Sequence, residues 1–156
     1  MRLCQGFGLR LNKGANGTHV AITAGTGIVP FLDIVFYLLR RGIYEIGKKQ
    51  GRSLEIFKGE FERKPLDDGF KLILFASFSK EEEVIALKYI RLLEEIEMEH
   101  KLDSFKFFLR ISGDSLRWDQ TYFEKWIPRD IEKVWVRGPE KFNFSVNQML
   151  RNLGYA

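Results

Sequence analysis

Cysteine and histidine are scarce in this sequence of 156 residues. It has one cysteine, Cys4, and two histidines, His19 and His100. A single cysteine excludes a disulfide framework within the chain and a cysteine-based metal site. Two histidines far apart in sequence disfavour a zinc centre and a Ser-His-Asp triad. We therefore predict no metal site and no catalytic side chain, and we interpret both histidines as structural or surface residues.

Long apolar runs and long blocks of Lys and Arg are missing as well. No segment approaches the roughly 20 apolar residues that a membrane span needs, and residues 1–6 have no apolar signal core. We therefore expect no direct membrane insertion, and a location in the cytoplasm, in a soluble organelle space, or in the cytosolic part of a membrane enzyme. The net charge of +4 suits a small polyanionic ligand. No Lys/Arg run exceeds two residues, which argues against nucleic acid as a partner.

Short apolar runs alternate with helical patterns along the chain. Runs rich in Val, Ile or Phe predict strands at residues 20–24, 72–76, 105–111 and 134–136. Apolar residues at helical spacing predict helices at residues 28–41, 80–99, 122–127 and 142–153. This alternation predicts an α/β fold with three layers, in which a mainly parallel, twisted sheet carries helices on both faces.

Three local patterns refine this prediction. Ser79 followed by Glu82 is typical of a capping box at the start of the second helix. The apolar residues that recur at helical spacing along this helix are Ile85, Tyr89, Leu92, Leu93 and Ile96. Residues 9–18 predict a strand followed by an Asn16–Gly17 turn. Residues 42–70 are charged and too long for a plain connector, so we interpret them as an insertion, with a hairpin or edge strand at 54–61.

The segment Ala24-Gly25-Thr26-Gly27-Ile28-Val29-Pro30 joins the first strand to the first helix. A glycine turn that leads into a helix presents free N–H groups and a positive helix end, which together favour phosphate. Pro30 occupies the third glycine position of the dehydrogenase fingerprint, and the Gly-Lys-Ser/Thr of NTPase loops is missing. In a parallel sheet the carboxyl ends of all strands share one edge, where ligands bind. The same edge would carry residues 77–79, 112–113 and 137–139.

Five motifs in order resemble the NAD(P)-binding half of the ferredoxin–NADP reductase superfamily, above all the branch of cytochrome b5 reductase and nitrate reductase. They are Gly25-Thr26-Gly27-Ile28-x-Pro30, the second strand at 71–76, Trp118-Asp119, Gly138-Pro139 and Leu153-Gly154-Tyr155. Residues 6–9, Gly-Phe-Gly-Leu, also resemble the tail of the flavin domain that precedes this half in the family. The resemblance spans nearly the whole chain except residues 42–69.

The resemblance implies NADH or NADPH as cofactor. Gly25, Thr26 and Gly27 would hold the pyrophosphate, Gly138 and Pro139 would border the nicotinamide, and Ser112 with Arg110 or Arg117 would contact the adenine ribose. The neutral Ser112 beside two arginines favours NADPH slightly, although Asp114 would favour NADH. The implied cofactor-binding residues are Gly25, Thr26, Gly27, Pro30, Ser112, Arg117, Arg137, Gly138 and Pro139.

The resemblance also implies a role as one domain, residues 1–156, of an NAD(P)H-dependent flavoprotein oxidoreductase. Residues 1–18 would be the remaining linker or strand of a preceding flavin domain. Hydride would pass to FAD on a missing domain or partner chain, and the isolated chain would be inactive, because the flavin motif Arg-x-Tyr-Ser has no counterpart here. The nicotinamide dinucleotide and a flavin-bearing domain or subunit are thus the expected partners.

Two alternatives stay open. The family carries Cys where this chain has Arg137, so the chain could be a non-catalytic scaffold or subunit that keeps the nucleotide-binding fold. An unrelated Rossmann dehydrogenase is disfavoured, because Ser77, Phe78 and Ser79 leave no carboxylate at the end of the second strand to bind a ribose.

Overall fold

The computed structural model describes residues 9, 11–52, 55, 59, 65–112 and 118–155. Within them, strands and α-helices alternate as the sequence predicts. The strands are β1 (Thr18–Ala24), β2 (Lys71–Phe78), β3 (Phe105–Ile111) and β4 (Ile131–Arg137). The α-helices are α1 (Val29–Lys49), α2 (Leu87–His100), α3 (Gln120–Trp126) and α4 (Glu140–Asn152).

The four described strands form one sheet in the order β3-β2-β1-β4, and every pairing is parallel. Ala21, in the middle of β1, pairs with Leu74 of β2 on one side and with Trp135 of β4 on the other. The central position of β1 explains why Val20, Ala21 and Ile22 are fully buried. Because all strands run in the same direction, their carboxyl ends meet along one edge of the sheet.

The helices cover both faces of the sheet. Ala21 packs in the cluster that α1 and α2 complete, whereas its neighbours Val20 and Ile22 pack in the cluster that α3 and α4 complete. This division follows from the strand period of two, which sends alternate side chains to opposite faces. The predicted α/β fold with helices on both faces of a parallel sheet is confirmed.

Helix α1 is longer than its predicted range of 28–41 and continues to Lys49. A Cβ atom at Gly42 would lie 3.0 Å from Cγ2 of Ile96 on α2, so this glycine is a site of close helix packing and not a helix end. The predicted insertion at 42–70 therefore begins with about two turns of α1. The hairpin expected at 54–61 lies mostly outside the described residues, and the two that are described, Glu55 and Gly59, are helical.

The capping box predicted at Ser79 and Glu82 is wrong. Residues Glu81–Glu83 form a short 3-10 helix without a side-chain cap, and α2 begins only at Leu87. Val84 is extended and buried against the core, and Ala86 is left-handed with φ 61°, so burial of Val84 draws the chain away from the helix axis.

The buried face of α2 agrees with the prediction only in part. Of the five apolar residues at helical spacing, Leu93 is fully buried and Ile85 and Ile96 pack partly buried against the core, but Tyr89 and Leu92 are 49% and 40% exposed. Ile90, which the predicted set lacks, is fully buried, so the face that meets the core is centred on Ile90 and Leu93.

The segment before β1 contains the predicted turn but no strand among its described residues. Gly14 and Gly17 have positive φ angles of 74° and 76°, and the Asn16 side chain accepts a hydrogen bond from the Gly17 amide at 2.7 Å. The backbone of this segment forms an isolated parallel bridge between Ala15 and Leu66, and the Gly17 carbonyl accepts a hydrogen bond from the amide of Lys71, the first residue of β2, at 2.9 Å. No helix in the described ranges has the length and hydropathy that crossing a membrane requires.

Candidate functional site

A cleft of about 1030 Å³ opens along the carboxyl edge of the sheet. Its walls come from the segments that follow all four strands and from one side of α4, so residues distant in sequence meet there. Of the nine residues implied as cofactor-binding, the cleft gathers eight, namely Gly25, Thr26, Gly27, Pro30, Ser112, Arg137, Gly138 and Pro139. The ninth, Arg117, and the neighbouring Asp114 lie outside the described residues.

The glycine loop forms the floor of the cleft. Residues Gly25–Ile28 form a 3-10 turn that leads directly into α1, whose first turn contains Pro30 and no acidic residue. Pro30 is tolerated there because the first N–H groups of a helix have no partner within it. Gly25 has a φ of 54°, and a Cβ atom built on it would have nothing within 4 Å. The loop therefore presents open backbone and a positive helix end to the cleft.

Gly27 has a packing role that the sequence does not reveal. A Cβ atom there would lie 2.2 Å from the carbonyl oxygen of Arg137 and 2.7 Å from its carbon, so only glycine lets the loop approach the end of β4. Gly138 is similarly confined, because its Cβ atom would lie 2.7 Å from Cδ1 of Phe142 and 3.0 Å from Cβ of Ala24. These two close approaches bring the ends of β1 and β4 together at the floor of the cleft.

Positive charge dominates the walls of the cleft. Among the described residues that line the cleft, Arg110, Arg137 and Lys141 carry positive charge and Glu83 alone carries negative charge. This balance favours an anionic ligand, since opposite charges in a partly desolvated cleft attract more strongly than in bulk water.

Sequence reasoning missed Glu83, because it considered only the three residues that follow the second predicted strand. The 3-10 turn at Glu81–Glu83 returns the chain to the cleft, and the buried Val84 is the signal that could have revealed it. Lys141 was missed because the motif Gly138–Pro139 ends two residues before it.

The Trp118–Asp119 motif anchors the β3 side of the cleft. The Trp118 ring is only 5% exposed and packs edge-on against Phe75 at 5.4 Å. Asp119 caps α3, since its carboxylate accepts a hydrogen bond from the Tyr122 amide at 2.7 Å. The Arg110 guanidinium lies over both aromatic rings, 4.8 Å from the centre of Trp118 and 4.4 Å from the centre of Tyr122. The motif thus fixes the surroundings of a cationic side chain in the cleft.

The opposite wall begins where β4 turns into α4. Pro139 is the first residue before the helix, with φ −56° and ψ 154°. The Asn143 side-chain amide donates a hydrogen bond to the Gly138 carbonyl at 2.8 Å, which ties the turn to the first turn of α4. Helix α4 then lines the cleft with Lys141, Phe142 and Ser145.

His19 lies at the other end of β1 and belongs to the core. It is 4% exposed, its ring stacks between Phe70 at 4.6 Å and Trp135 at 5.6 Å, and its Nδ1 lies 3.2 Å from the Gly17 carbonyl. Burial lowers the pKa of His19 below its usual value, which keeps the ring neutral. Nowhere in the described part of the chain do three His, Cys, Asp or Glu side chains come close enough together to hold a metal ion.

Comparison with known proteins identifies the fold. No protein-family model matches the sequence. A search of curated proteins gives no significant match. Among solved structures, the cytochrome b5 reductase domain of nitrate reductase from Ulva prolifera matches 90% of this chain with a TM-score of 0.56 at 14% identity.

Two further structures match as well. The CS-b5R domains of human Ncb5or in the NAD+ form match 90% of the chain with a TM-score of 0.51 at 17% identity. Ferredoxin-NADP+ reductase from Plasmodium falciparum with 2'P-AMP matches 87% with a TM-score of 0.54 at 13% identity. This chain spans 46%, 35% and 47% of those three chains, respectively. At these identities the likeness shows a shared fold, as the sequence motifs imply.

Proposed function

We propose that the cleft binds a nicotinamide dinucleotide, with its pyrophosphate at the Gly25–Gly27 loop. The observation that carries this proposal is the loop itself, whose open backbone at Gly25 lies at the amino end of α1 within a cleft lined by three cations and one carboxylate. A pyrophosphate carries the charge and the size that this arrangement favours. The structures of similar fold that were solved in an NAD+ form and with 2'P-AMP support the same ligand class.

The role that follows is the NAD(P)H-binding part of a flavin-dependent oxidoreductase. The nicotinamide would lie beside Gly138 and Pro139 and pass hydride to a flavin on a separate domain or subunit. The described residues of this chain would bind and orient the dinucleotide, while the redox chemistry belongs to the two cofactors. No side chain in the cleft is required to move a proton in this scheme.

Charge substitution at the loop tests the proposal. Asp and Asn both tolerate the left-handed conformation of Gly25 and have nearly the same shape. Calorimetric titration with NADH and with NADPH should show that Gly25→Asp weakens binding at least tenfold, or about 1.4 kcal/mol, because its carboxylate repels the pyrophosphate. Gly25→Asn should weaken binding much less.

A matched control uses a glycine of similar conformation outside the cleft. Gly154 has a φ of 84° and open space around its Cβ position, so Gly154→Asp adds the same charge under similar backbone strain. It should leave binding unchanged. Equal affinities for Gly25→Asp and Gly25→Asn would place the phosphates elsewhere, and a wild-type chain that binds neither nucleotide would favour the non-catalytic scaffold.

A further inference from the structure

The sheet holds the backbone of Arg110, and two aromatic rings hold its side chain. It belongs to β3, where it pairs in register with Ser77 of β2, so its backbone is fixed by the sheet. Its guanidinium lies 4.8 Å from the ring centre of Trp118 and 4.4 Å from that of Tyr122. The two rings are themselves 5.3 Å apart and inclined at 43°, so together they form a platform under one cation.

The platform is itself firmly anchored. Phe123, the residue next to Tyr122, is fully buried and packs at 5.4 Å from Phe75 of β2, while the Asp119 cap holds the amide of Tyr122. Trp118 contacts Phe75 as well. Tyr122 therefore has a fixed position relative to the strand that carries Arg110, although it does not line the cleft.

We propose that Tyr122 is a positioning residue for ligand binding, which holds the Arg110 guanidinium in the cleft before an anionic nucleotide arrives. An arginine side chain free in solvent has many rotamers, and fixing them on binding opposes affinity. Contact with two aromatic faces restricts those rotamers in advance and stabilises the cation. Tyr122 thus strengthens binding without touching the ligand. This inference rests on the proposed nucleotide binding and adds a residue that no sequence motif assigns to it.

Three variants of α3 separate this role from general packing. Tyr122→Leu removes the ring, and Tyr122→Phe keeps it. Trp126→Leu removes another aromatic ring of the same helix, which packs against Phe108 and Tyr122 but has no cation-π contact with Arg110, so it reports the effect of loosening the packing around Tyr122. Titration with NADPH at about 0.05 M salt should show a loss of roughly twofold to threefold for Tyr122→Leu only, because a positioning residue cannot contribute more than the cation that it holds. The loss should shrink at about 0.5 M salt, because the interaction that it weakens is electrostatic.

An NMR measurement reads the position of Arg110 without any ligand. A proton over an aromatic face is shifted upfield, so the Arg110 Nε–H signal of the wild-type chain should be displaced upfield, retained in Tyr122→Phe and Trp126→Leu, and returned toward the random-coil position in Tyr122→Leu. Equal binding losses in Tyr122→Leu and Trp126→Leu, or an unshifted wild-type signal, would overturn the inference. If the wild-type chain binds no nucleotide, the proposed function is wrong. The positioning of Arg110 by Tyr122 is then tested by the chemical shift of its Nε–H proton alone.

Discussion

Two side chains of opposite charge face the cleft from the ends of neighbouring strands. Arg110 lies near the end of β3, and Glu83 lies in the turn that follows β2. An anionic ligand would be attracted by Arg110 and repelled by Glu83. Removing the charge of Arg110 should therefore lower the affinity, and removing the charge of Glu83 should raise it. We predict that Arg110→Gln weakens and Glu83→Gln strengthens nucleotide binding, each by roughly twofold to fivefold at low salt.

Calorimetry at two salt concentrations checks this pair of variants. Both effects should diminish at about 0.5 M salt, since screening acts on exposed charges. Glu95→Gln, an exposed position on α2 outside the cleft, should leave affinity unchanged. Changes of the same sign in Arg110→Gln and Glu83→Gln would contradict the charge argument.

Cofactor preference depends on the same residues. A 2'-phosphate adds negative charge that Arg110 and Ser112, at the end of β3, could bind. We therefore expect NADPH to bind at least as well as NADH, and Arg110→Gln to reduce the affinity for NADPH more than that for NADH. Parallel titrations of both nucleotides measure the ratio, and an unchanged ratio would assign the discrimination to other residues, among which Arg117 and Asp114 are the first to test.

His19 links the stability of the fold to pH. Its folded-state pKa is lowered from the usual 6.5 by burial, so below that pH the unfolded chain binds a proton that the folded chain does not. Stability should accordingly fall as pH decreases from about 6.5 toward the lowered pKa, and His19→Phe should flatten this part of the curve. Thermal unfolding of the wild type and of His19→Phe between about pH 7.5 and about pH 5 measures the slope, and equal slopes would contradict the prediction.

At the scale of single residues, the sequence predicts which segments meet at the cleft better than it predicts the contacts that hold them there. The glycines and the Gly-Pro pair stand out in the sequence because of their conformational preferences and their motifs, and the structure gathers them around one cleft. The confinement of Gly27 by the Arg137 carbonyl, and the placement of Glu83, depend on contacts between segments more than 50 residues apart or on an unexpected break in a helix. Local patterns contain no signal for such contacts.

At the scale of elements, the close approach of the Gly25–Ile28 turn to the end of β4 gives a prediction. Because a Cβ atom on Gly27 would overlap the backbone of Arg137, Gly27→Ala should force the start of α1 away from the end of β4. We expect a loss of about 1–3 kcal/mol in the free energy of unfolding, measured by urea denaturation. Gly59→Ala, at a helical position with nothing within 4 Å, should leave that free energy unchanged or raise it.

The strands were predicted more accurately than the helices. Each predicted strand lies within an observed one, and the prediction for β3 has the observed bounds, because buried parallel strands read as short apolar runs. The predicted bounds of the helices are wrong where tertiary contacts override the local preferences of the sequence. Gly42 continues α1 because it permits contact with Ile96, and the burial of Val84 delays the start of α2.

For the molecule as a whole, we predict a colourless protein, because the proposed function assigns the nicotinamide dinucleotide to this chain and the flavin to a separate domain or subunit. The chain lacks the flavin motif of the family that it resembles, so the purified 156-residue chain should bind nicotinamide dinucleotide without flavin. It should also lack diaphorase activity on its own. Visible absorbance and NADH-dependent dye reduction measure both properties, and a stoichiometric flavin band would contradict the prediction.

The central position of β1 has a consequence for synthesis on the ribosome. Its partner β2 follows about 50 residues later, but its other partner, β4, ends at Arg137. At roughly 5–20 residues per second, about 6–20 s pass between translation of β1 and translation of β4. During that interval one edge of a strand whose five central residues are all buried in the folded protein has no partner from its own chain. The nascent protein is therefore most exposed to aggregation, and most in need of a chaperone, before the last third of the chain emerges.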